Sequence, residues 1–367
     1  MHLIKLEKDK SILPPTTITY FLNPDYVYIP VKNIIVKENE LVYKWQMVSE
    51  NIYSPVSGKV LGIKKCNVLN KKQNTLVIEN DFREMNKEKD KKKIKLNIPN
   101  LLKLIEENPR LFNKFKSSKT FDTIIVSNIN DNPYVYNKIF LLKENIDDIL
   151  ELIESLSIIY KSDNNLLIIK NNEAFIIDEC LKVIGTYPKI KLTLVNDEYL
   201  LENERYLTEK LSLKNNCLYL TVEDILEIND LLKTNISTTM IITVSGNAIK
   251  ENKVFRLKEN TLLSVLVSKY IEIKENDYEV IINGLMTGFK LNVVDDFVIT
   301  KDIKSINIMK KTNVISNKCI NCGKCIEICP ENVNPLTLKN KKKCLDCGLC
   351  SYICPSRICF RNRLKGR

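Results

Sequence analysis

The chain has 367 residues and is 44% hydrophobic, which is enough apolar material for roughly two to four domains with cores of their own. It contains only 9 glycines, and no two of them are separated by a single residue. A G-x-G dinucleotide loop and a G-x-x-x-x-G-K phosphate loop are therefore both excluded. The single histidine, His2, excludes His-based catalytic triads, H-E-x-x-H zinc sites and Rieske clusters.

Positive charge is concentrated toward the C-terminal end of the sequence. The net charge is +11, and residues 310–367 alone contain 13 Lys or Arg against 3 Asp or Glu. No segment reaches the roughly 18 consecutive apolar residues of a membrane span, and residues 1–10 lack the apolar core of a signal peptide. We therefore expect a soluble, cytoplasmic protein whose 12 cysteines are free thiols or metal ligands, because disulfides are rare in reducing compartments.

The N-terminal part of the chain is predicted to be a β domain that spans residues 1–82. Alternating segments at 26–30, 54–60 and 75–78 are separated by turn-forming residues at the spacing of a small barrel. Residues 83–95 are almost entirely charged, which is typical of a solvated linker.

Residues 96–235 are predicted to form an open, Rossmann-like α/β domain. Strand-like segments at 121–126, 166–169, 191–195 and 218–222 alternate with helical segments at 147–160, 172–184, 204–213 and 223–233. This alternation favours a mainly parallel sheet. Residues 236–305 then read as strands around one helix at 262–270, which indicates a small β-grasp-like domain and an overall multidomain α+β fold.

The remaining domain, residues 306–367, contains an internal cysteine repeat. Each half reads C-x-x-C-x-x-C-x-x-x-C-P, the spacing of bacterial two-cluster ferredoxins. The second half follows the first by 25 residues, and a glycine follows the second cysteine in both. The repeated cysteines are Cys319, Cys322, Cys325 and Cys329 in the first half and Cys344, Cys347, Cys350 and Cys354 in the second.

This spacing predicts which cysteines act together. Three thiolates two residues apart on a tight loop can bind three irons of one cubane, whereas the fourth, at the start of the next segment, reaches the other cluster. We therefore predict two [4Fe–4S] clusters, one bound by Cys319, Cys322, Cys325 and Cys354 and the other by Cys344, Cys347, Cys350 and Cys329. Two zinc sites would require two C-x-x-C pairs and would leave the third cysteine of each triplet and both Cys-Pro pairs unexplained.

Three further cysteines are predicted to be packing residues. Cys180 and Cys217 lie in apolar patterns, and a free cysteine in such surroundings behaves as a small hydrophobic side chain. Cys359 follows the second motif, where it could serve as a spare ligand, but burial in the core is the preferred interpretation.

The order of these segments resembles the RnfC family, the cluster-bearing C subunits of Rnf membrane electron-transport complexes, which has relatives that serve soluble reductases. Residues 29–30 and 54–60 are similar to its N-terminal barrel-sandwich domain. Residues 121–134 lie where the family has a strand leading into its flavin-site segment. Residues 244–248 and 282–289 look like its soluble-ligand-binding β-grasp (SLBB) domain, and the doubled cysteine motif completes the similarity.

Two segments depart from the family members that bind NADH and FMN. Those members carry a run of glycines ahead of the first strand of the α/β domain, whereas residues 106–112 read Glu-Glu-Asn-Pro-Arg-Leu-Phe. Without glycine the backbone cannot approach phosphates closely. The family's acidic, cysteine-containing stretch is replaced by Asn130, Asp131 and Asn132. We therefore expect the clusters, but neither FMN nor NADH nor an NADH dehydrogenase activity of this chain's own.

The resemblance implies an electron-transfer subunit within a membrane-associated Rnf-type ferredoxin/NAD oxidoreductase complex, peripheral to the cytoplasmic face of the membrane. Its partners would be a ferredoxin-like donor and other Rnf-type subunits. One alternative is a paralogue that delivers electrons to a soluble reductase of the amino-acid or corrinoid type, and another is a non-catalytic redox-sensing or assembly protein.

The basic C-terminal residues suit an acidic electron partner or an anionic membrane surface. Nothing in them indicates nucleic acid, since Phe360 is the one aromatic residue among the last arginines.

Overall fold

The structure is a computed structural model that describes residues 8–87, 94–213, 216–233, 237–311 and 318–365. His2 and the central part of the predicted linker, residues 88–93, lie outside the described residues. Within the described ranges, none of the helices combines the length and the hydrophobicity that crossing a bilayer requires.

The first region is an antiparallel sheet of four strands with a separate short hairpin. Two long neighbouring strands dominate it because their apolar residues alternate with polar ones over a long stretch, which buries one face. Val27, Ile29, Leu76 and Ile78 form the centre of its core. The strands in sheet order are Tyr26–Pro30, Lys71–Asn80, Gly58–Val68 and Leu41–Val42, and the hairpin pairs Met47–Ser49 with Ile52–Tyr53.

One N-terminal strand joins a different sheet from the one that the sequence suggests. Residues 1–82 are predicted as one β domain, yet Ile18–Phe21 pairs in parallel with Lys253–Lys258, far along the chain. Phe21 is buried in the core of that second sheet, with its ring centroid 5.3 Å from that of Tyr270. Burial of this aromatic side chain stabilises the pairing of the two strands.

The predicted alternation of strands and helices is present in the middle of the chain. Four parallel strands form the sheet, in the order Ile190–Val195, Asn164–Lys170, Thr123–Ser127 and Cys217–Thr221. Its helices are Ile98–Leu104, Pro109–Phe115, Asn137–Glu144, Ile146–Tyr160, Ala174–Val183, Glu204–Lys210 and Val222–Leu232, with a 3-10 turn at Ile184–Thr186.

The first two of these helices have starts that can be read from the sequence. The side chain of Asn97 accepts a hydrogen bond from the backbone of Asn100, and that of Asn108 accepts one from Leu111. A proline stands in the first turn of each helix. An asparagine cap followed by proline is a typical helix beginning. The asparagine side chain accepts a hydrogen bond from a backbone N–H of the first turn, and proline has no N–H that would need a partner there.

The third region is a mixed six-stranded sheet with one helix. Its order is Ile18–Phe21, Lys253–Lys258, Thr239–Ser245, Ser305–Lys310, Tyr278–Ile282 and Phe289–Leu291. A short pair, Thr261–Leu262 with Val298–Ile299, lies beside it. The helix Leu263–Tyr270 buries Leu263 and Leu266 in the core of the sheet.

The cysteine-rich end of the chain has little regular structure. Its helices are Lys324–Glu327, Leu349–Tyr352 and Phe360–Lys365, with a 3-10 turn at Lys341–Lys343. A small core of its own includes Cys325, Cys350, Cys354, Val333 and Phe360. The molecule is thus a mixed α/β protein with a cysteine-rich C-terminal segment.

Candidate metal centres

The two cysteine motifs fold into loops with matching backbone conformations. Gly323 and Gly348, which occupy the same position in each motif, both have a φ of 78°. Each begins a short helix, Lys324–Glu327 in the first motif and Leu349–Tyr352 in the second. A positive φ costs glycine little because it has no Cβ. The sequence repeat is therefore also a structural repeat.

The eight cysteines line two cavities. The fourth cysteine of each motif lies with the first three of the other motif, which is the grouping that the spacing predicts. The outer cavity is lined by Cys319, Cys322, Cys325 and Cys354, and the inner cavity by Cys329, Cys344, Cys347 and Cys350. Apolar side chains contribute to both linings, among them Leu336 and Phe360 in the outer cavity and Val333 and Leu364 in the inner one.

The donor set at each site, four thiols, suits an iron–sulfur cluster. No group of three or more His, Cys, Asp or Glu side chains in the described ranges is arranged to hold a metal ion. The four thiols at each site instead surround a space between them, and thiolates are the ligands that iron–sulfur clusters use. That the eight sulfurs bind iron stays a prediction.

Burial favours the neutral thiol at several of these cysteines. It raises the pKa of Cys347 to about 11 and that of Cys350 to about 12, and the neighbouring Cys329 and Cys344 act in the same direction. Burial also raises the pKa of Cys325 in the outer site. Because cluster ligands are thiolates, metal binding at both sites must release protons.

Backbone amides donate hydrogen bonds to a sulfur at the same place in each repeat. The N–H of Asn321 donates to Cys319 Sγ, and the N–H of Asp346 donates to Cys344 Sγ, both at 3.4 Å. Asn321 and Asp346 have φ values of 53° and 60°, a conformation that these residue types adopt more readily than most. Such bonds, together with charge and solvent exposure, set the reduction potential of a cluster.

Solvent exposure distinguishes the two sites. Cys319 and Cys322 of the outer site are exposed, whereas each cysteine of the inner site is buried or half-buried. The inner site is covered by a hydrophobic cluster that reaches the α/β and mixed-sheet regions. Its members are Tyr199, Leu200, Tyr206, Met286 and Leu349, with Cys347 packed against them.

The surroundings of Gly323 and Gly348 also differ between the exposed outer site and the covered inner site. A Cβ added at Gly348 would lie 2.0 Å from the carbonyl oxygen of Met286. A Cβ added at Gly323 would meet one atom, Glu327 Oε1, at 3.6 Å. The inner loop therefore packs directly on the backbone of the mixed-sheet region, and the outer loop does not.

Arg361 connects the inner loop to the mixed-sheet region. Its guanidinium donates from Nε to Asp346 Oδ1 at 2.6 Å and from Nη2 to Asp346 Oδ2 at 2.9 Å. Its Nη1 donates to the carbonyl oxygen of Thr287. Asp346 lies between two inner-site cysteines in the sequence, so this bidentate pair fixes the loop that carries them.

A second polar contact connects the cysteine-rich segment to the α/β region. Glu331, which lines the inner cavity, accepts a hydrogen bond from the hydroxyl of Tyr206 at 2.7 Å. It also forms an ion pair with Arg205. Both partners lie on the helix Glu204–Lys210, so the inner site is held from two sides.

The cysteines outside the motifs do not join either cavity. Cys180 is buried, as predicted, and Cys217 is half-buried. The predicted burial of Cys359 is wrong, because this side chain is exposed. The neighbouring Phe360 takes the buried position at the start of the last helix, with 1% of its surface exposed.

Residues 106–112, which the resemblance aligns with the family's glycine run, lead into the helix Pro109–Phe115. Arg110 and Lys114 on this helix form ion pairs with Asp224, whose side chain is fully buried. Burial alone would raise the pKa of Asp224, but the charge of Lys114, the backbone N–H of Thr221 and the hydrogen bonds from Lys114 and Arg110 lower it overall. This part of the α/β region is therefore filled by a helix and its ion pairs.

Buried lysines hold the carboxyl edge of the parallel sheet, the edge at which open α/β sheets bind ligands. Lys138 Nζ donates to the carbonyl oxygen of Ile129 at 2.7 Å and to Glu202 Oε1 at 2.5 Å. Lys170 Nζ donates to the carbonyl oxygen of Asn130 at 2.7 Å. The loop after the strand Thr123–Ser127 is thus tied down by this chain's own side chains.

Comparison with known proteins agrees with these observations. Residues 311–334 match a family of 4Fe-4S binding domains. The chain is 25% identical to the C subunit of the proton-translocating ferredoxin:NAD(+) oxidoreductase complex of Clostridium ljungdahlii, over 86% of this chain and 78% of that protein. The resemblance to the RnfC family is thereby confirmed. The chain is RnfC-like over most of its length, and its C-terminal end contains a match to a 4Fe-4S binding domain.

Two solved structures resemble the RnfC-like chain in part. The NAD+-reducing [NiFe]-hydrogenase in the air-oxidized state has a TM-score of 0.48 at 11% identity, over 73% of this chain and 53% of that one. The same hydrogenase in the H2-reduced state has a TM-score of 0.44 at 10% identity, over 58% and 47%. The match therefore spans about half the length of each hydrogenase chain.

Proposed function

We propose that this protein relays single electrons through two [4Fe–4S] clusters. One would be held by Cys319, Cys322, Cys325 and Cys354, and the other by Cys329, Cys344, Cys347 and Cys350. The observation that carries the proposal is the arrangement of four thiols around each of two cavities that share one small core. Clusters held by cysteine thiolates suit electron transfer, because their potentials are tuned by the surrounding protein.

The chain's own residues would supply more than ligands. The backbone N–H groups of Asn321 and Asp346 are directed at cysteine sulfurs and stabilise negative charge there. Residues 318–365 contain ten Lys or Arg and three Asp or Glu. This excess helps to hold anionic clusters and raises their potentials.

We further propose that the protein works within an Rnf-type ferredoxin/NAD oxidoreductase complex, at the cytoplasmic face of the membrane. Similarity to the C subunit of such a complex over most of the chain supports this assignment. Its partners would then be a ferredoxin-like donor and the other subunits. Co-purification with membrane subunits after mild solubilisation tests the assignment, and co-purification with a soluble reductase instead would contradict it.

The proposed domain layout follows the resemblance. It comprises a barrel-sandwich domain at 1–82, a charged linker at 83–95, an α/β domain at 96–235, an SLBB-like β-grasp domain at 236–305 and a two-cluster ferredoxin-like domain at 306–367. The separate cores of the sheets support most of this division. The strand Ser305–Lys310 belongs to the mixed sheet, so that sheet extends past the proposed boundary at residue 305. The pairing of Ile18–Phe21 with Lys253–Lys258 means that the first and fourth segments would share a sheet.

We propose that this chain acts without FMN or NADH of its own. The ion-paired helix Pro109–Phe115 stands where flavin-binding relatives have glycines, and Lys138 and Lys170 tie down the adjacent loop. Titration with FMN and NADH, followed by flavin fluorescence and by calorimetry, should show no saturable binding. Binding of one FMN per chain would contradict this part of the proposal.

Metal analysis with two cysteine variants tests the cluster assignment. The anaerobically purified protein should contain about eight irons and about eight acid-labile sulfides. Cys322→Ser should lose about half of that iron, because one of the two clusters lacks a ligand. Cys359→Ser is the matched control, since Cys359 is also exposed but lies outside both cavities, and it should keep the full content. Equal iron in the two variants would contradict the assignment.

A further inference from the structure

The residues exposed at the outer site suit the docking of another redox protein. This inference rests on the two-cluster function proposed above. The face of this site comprises residues 318–324, which include the exposed residues Cys319 and Cys322. Ile320 lies between these cysteines with 47% of its surface exposed, and Lys324 lines the same cavity. We refer to residues 318–324 as the outer face.

The charge of the cysteine-rich segment favours an acidic partner. It has ten basic and three acidic residues between 318 and 365. Two of the three acids are already engaged within the molecule: Asp346 with Arg361, and Glu331 with Arg205. The third, Glu327, is exposed on the short helix that follows the outer face. The net charge of the segment is therefore +7, which attracts negatively charged molecules from a distance.

The inner site offers no comparable approach. Its cysteines are buried or half-buried, and Met286, Tyr199 and Leu349 cover it. An electron must pass between two proteins over a short distance, so a carrier that docks from solvent reaches the outer site first. A single exposed isoleucine, flanked in the sequence by Lys318 and Lys324, also suits the small, weak interfaces of electron-transfer complexes.

We propose that the outer face is the docking surface for a small acidic one-electron carrier, and that electrons are exchanged with that carrier at the outer site. In each encounter one electron leaves the reduced carrier and is accepted at the outer site, so the carrier is oxidised by one electron. No bond is made or broken. The inner site then connects the outer site with the rest of the assembly.

Charge reversal at two lysines of the same segment tests this inference. Lys324→Glu changes the outer face, and Lys342→Glu makes the same charge change at an exposed residue two positions before Cys344 of the inner site. The holoprotein is mixed with a reduced, acidic [2Fe–2S] ferredoxin at low salt in a stopped-flow instrument. We expect Lys324→Glu to lower the second-order rate about tenfold and Lys342→Glu to lower it less than about twofold.

A basic one-electron cytochrome is the opposite probe. With this carrier Lys324→Glu should raise the rate, because the repulsion between the outer face and a basic carrier is reduced. Ile320→Ser is a second variant that alters the face without changing its charge. It should slow exchange with the acidic carrier and leave the dependence of the rate on salt concentration unchanged.

The outcomes separate this inference from the function on which it rests. Iron and sulfide content is measured first on every variant, and a wild-type content well below about eight would overturn the proposed function itself. With both clusters intact, equal rates for wild type and Lys324→Glu would overturn the docking surface alone. Equal slowing by Lys324→Glu and Lys342→Glu would overturn it too, because the effect would then come from overall charge.

Discussion

The two cysteine sites have the same motif but different surroundings. Both loops place a glycine at a φ of 78° and direct a backbone N–H at the first sulfur. The outer site nevertheless exposes two of its cysteines, whereas the inner site packs against Met286 and is tied by Arg361. The difference therefore arises from what each loop packs against.

The contrast between the two sites shows that the cysteine motif determines the shape of each loop but not its surroundings. The local motif specifies a loop that can surround a cluster, and it does so twice. Solvent exposure and nearby charge, which also set cluster potential and stability, are specified by contacts with distant parts of the chain. Two clusters with identical ligands can therefore differ in potential and in resistance to loss.

Replacing the motif glycines should give the largest difference in stability between the inner and outer sites. Gly348→Ala combines the cost of a positive φ with a contact of 2.0 Å to the backbone of Met286. We expect it to destabilise the C-terminal region by about 3–4 kcal/mol and to remove the inner cluster. Loss of cluster absorbance during urea denaturation, together with iron content, measures both effects.

Gly323→Ala is the matched control for this change. It has the same φ of 78°, but its added Cβ meets one side-chain atom at 3.6 Å. Its cost should be limited to about 1–2 kcal/mol, and both clusters should remain. If the two alanine variants lost the same stability, packing on Met286 would not distinguish the two sites.

The second difference concerns release of iron. Because Cys319 and Cys322 are exposed, an iron chelator with a mild oxidant should remove the outer cluster at least about tenfold faster than the inner one. The decay of visible absorbance should then have two phases of similar amplitude. Mass spectrometry of alkylated cysteines after the fast phase should find Cys319, Cys322, Cys325 and Cys354 modified first. A single phase would mean that exposure does not separate the sites.

Much of the fold can be predicted from the sequence because its elements are strongly periodic. The predicted helix at 147–160 corresponds to Ile146–Tyr160, and the predicted strand at 166–169 lies within Asn164–Lys170. The helices Ile98–Leu104 and Pro109–Phe115 were not predicted, although their asparagine caps and prolines signal them. The partner of Ile18–Phe21 could not be predicted, since a four-residue strand does not specify a pairing more than two hundred residues away.

The candidate site was predictable to a similar extent. Cysteine spacing predicts the two groups of four thiols because the chemistry of cubane binding restricts the loop. The roles of Asp346, Arg361 and Met286 could not be predicted, because they depend on how the cysteine-rich segment packs on the mixed sheet. The exposure of Cys359 depends on the same packing.

The smallest expected effect is that of replacing Arg361. This substitution tests whether charge, as well as packing, distinguishes the inner site from the outer site. Arg361→Met removes two hydrogen bonds to Asp346 and one to the carbonyl oxygen of Thr287. The pair is partly solvated, with Arg361 and Asp346 side chains 22% and 24% exposed, so the loss of stability should be about 1 kcal/mol. Removing a positive charge beside the inner loop should also lower the potential of that cluster, because the anionic cluster loses a stabilising cation.

Arg363→Met removes an equal charge from an exposed position on the same helix and serves as the control. Redox titration followed by electron paramagnetic resonance resolves the two clusters. A shift confined to one cluster in Arg361→Met, and absent in Arg363→Met, means that the Arg361–Asp346 pair acts locally on the inner site. Equal shifts of both clusters in both variants would mean that the segment responds only to its total charge, and the contrast between the sites would then be one of packing alone.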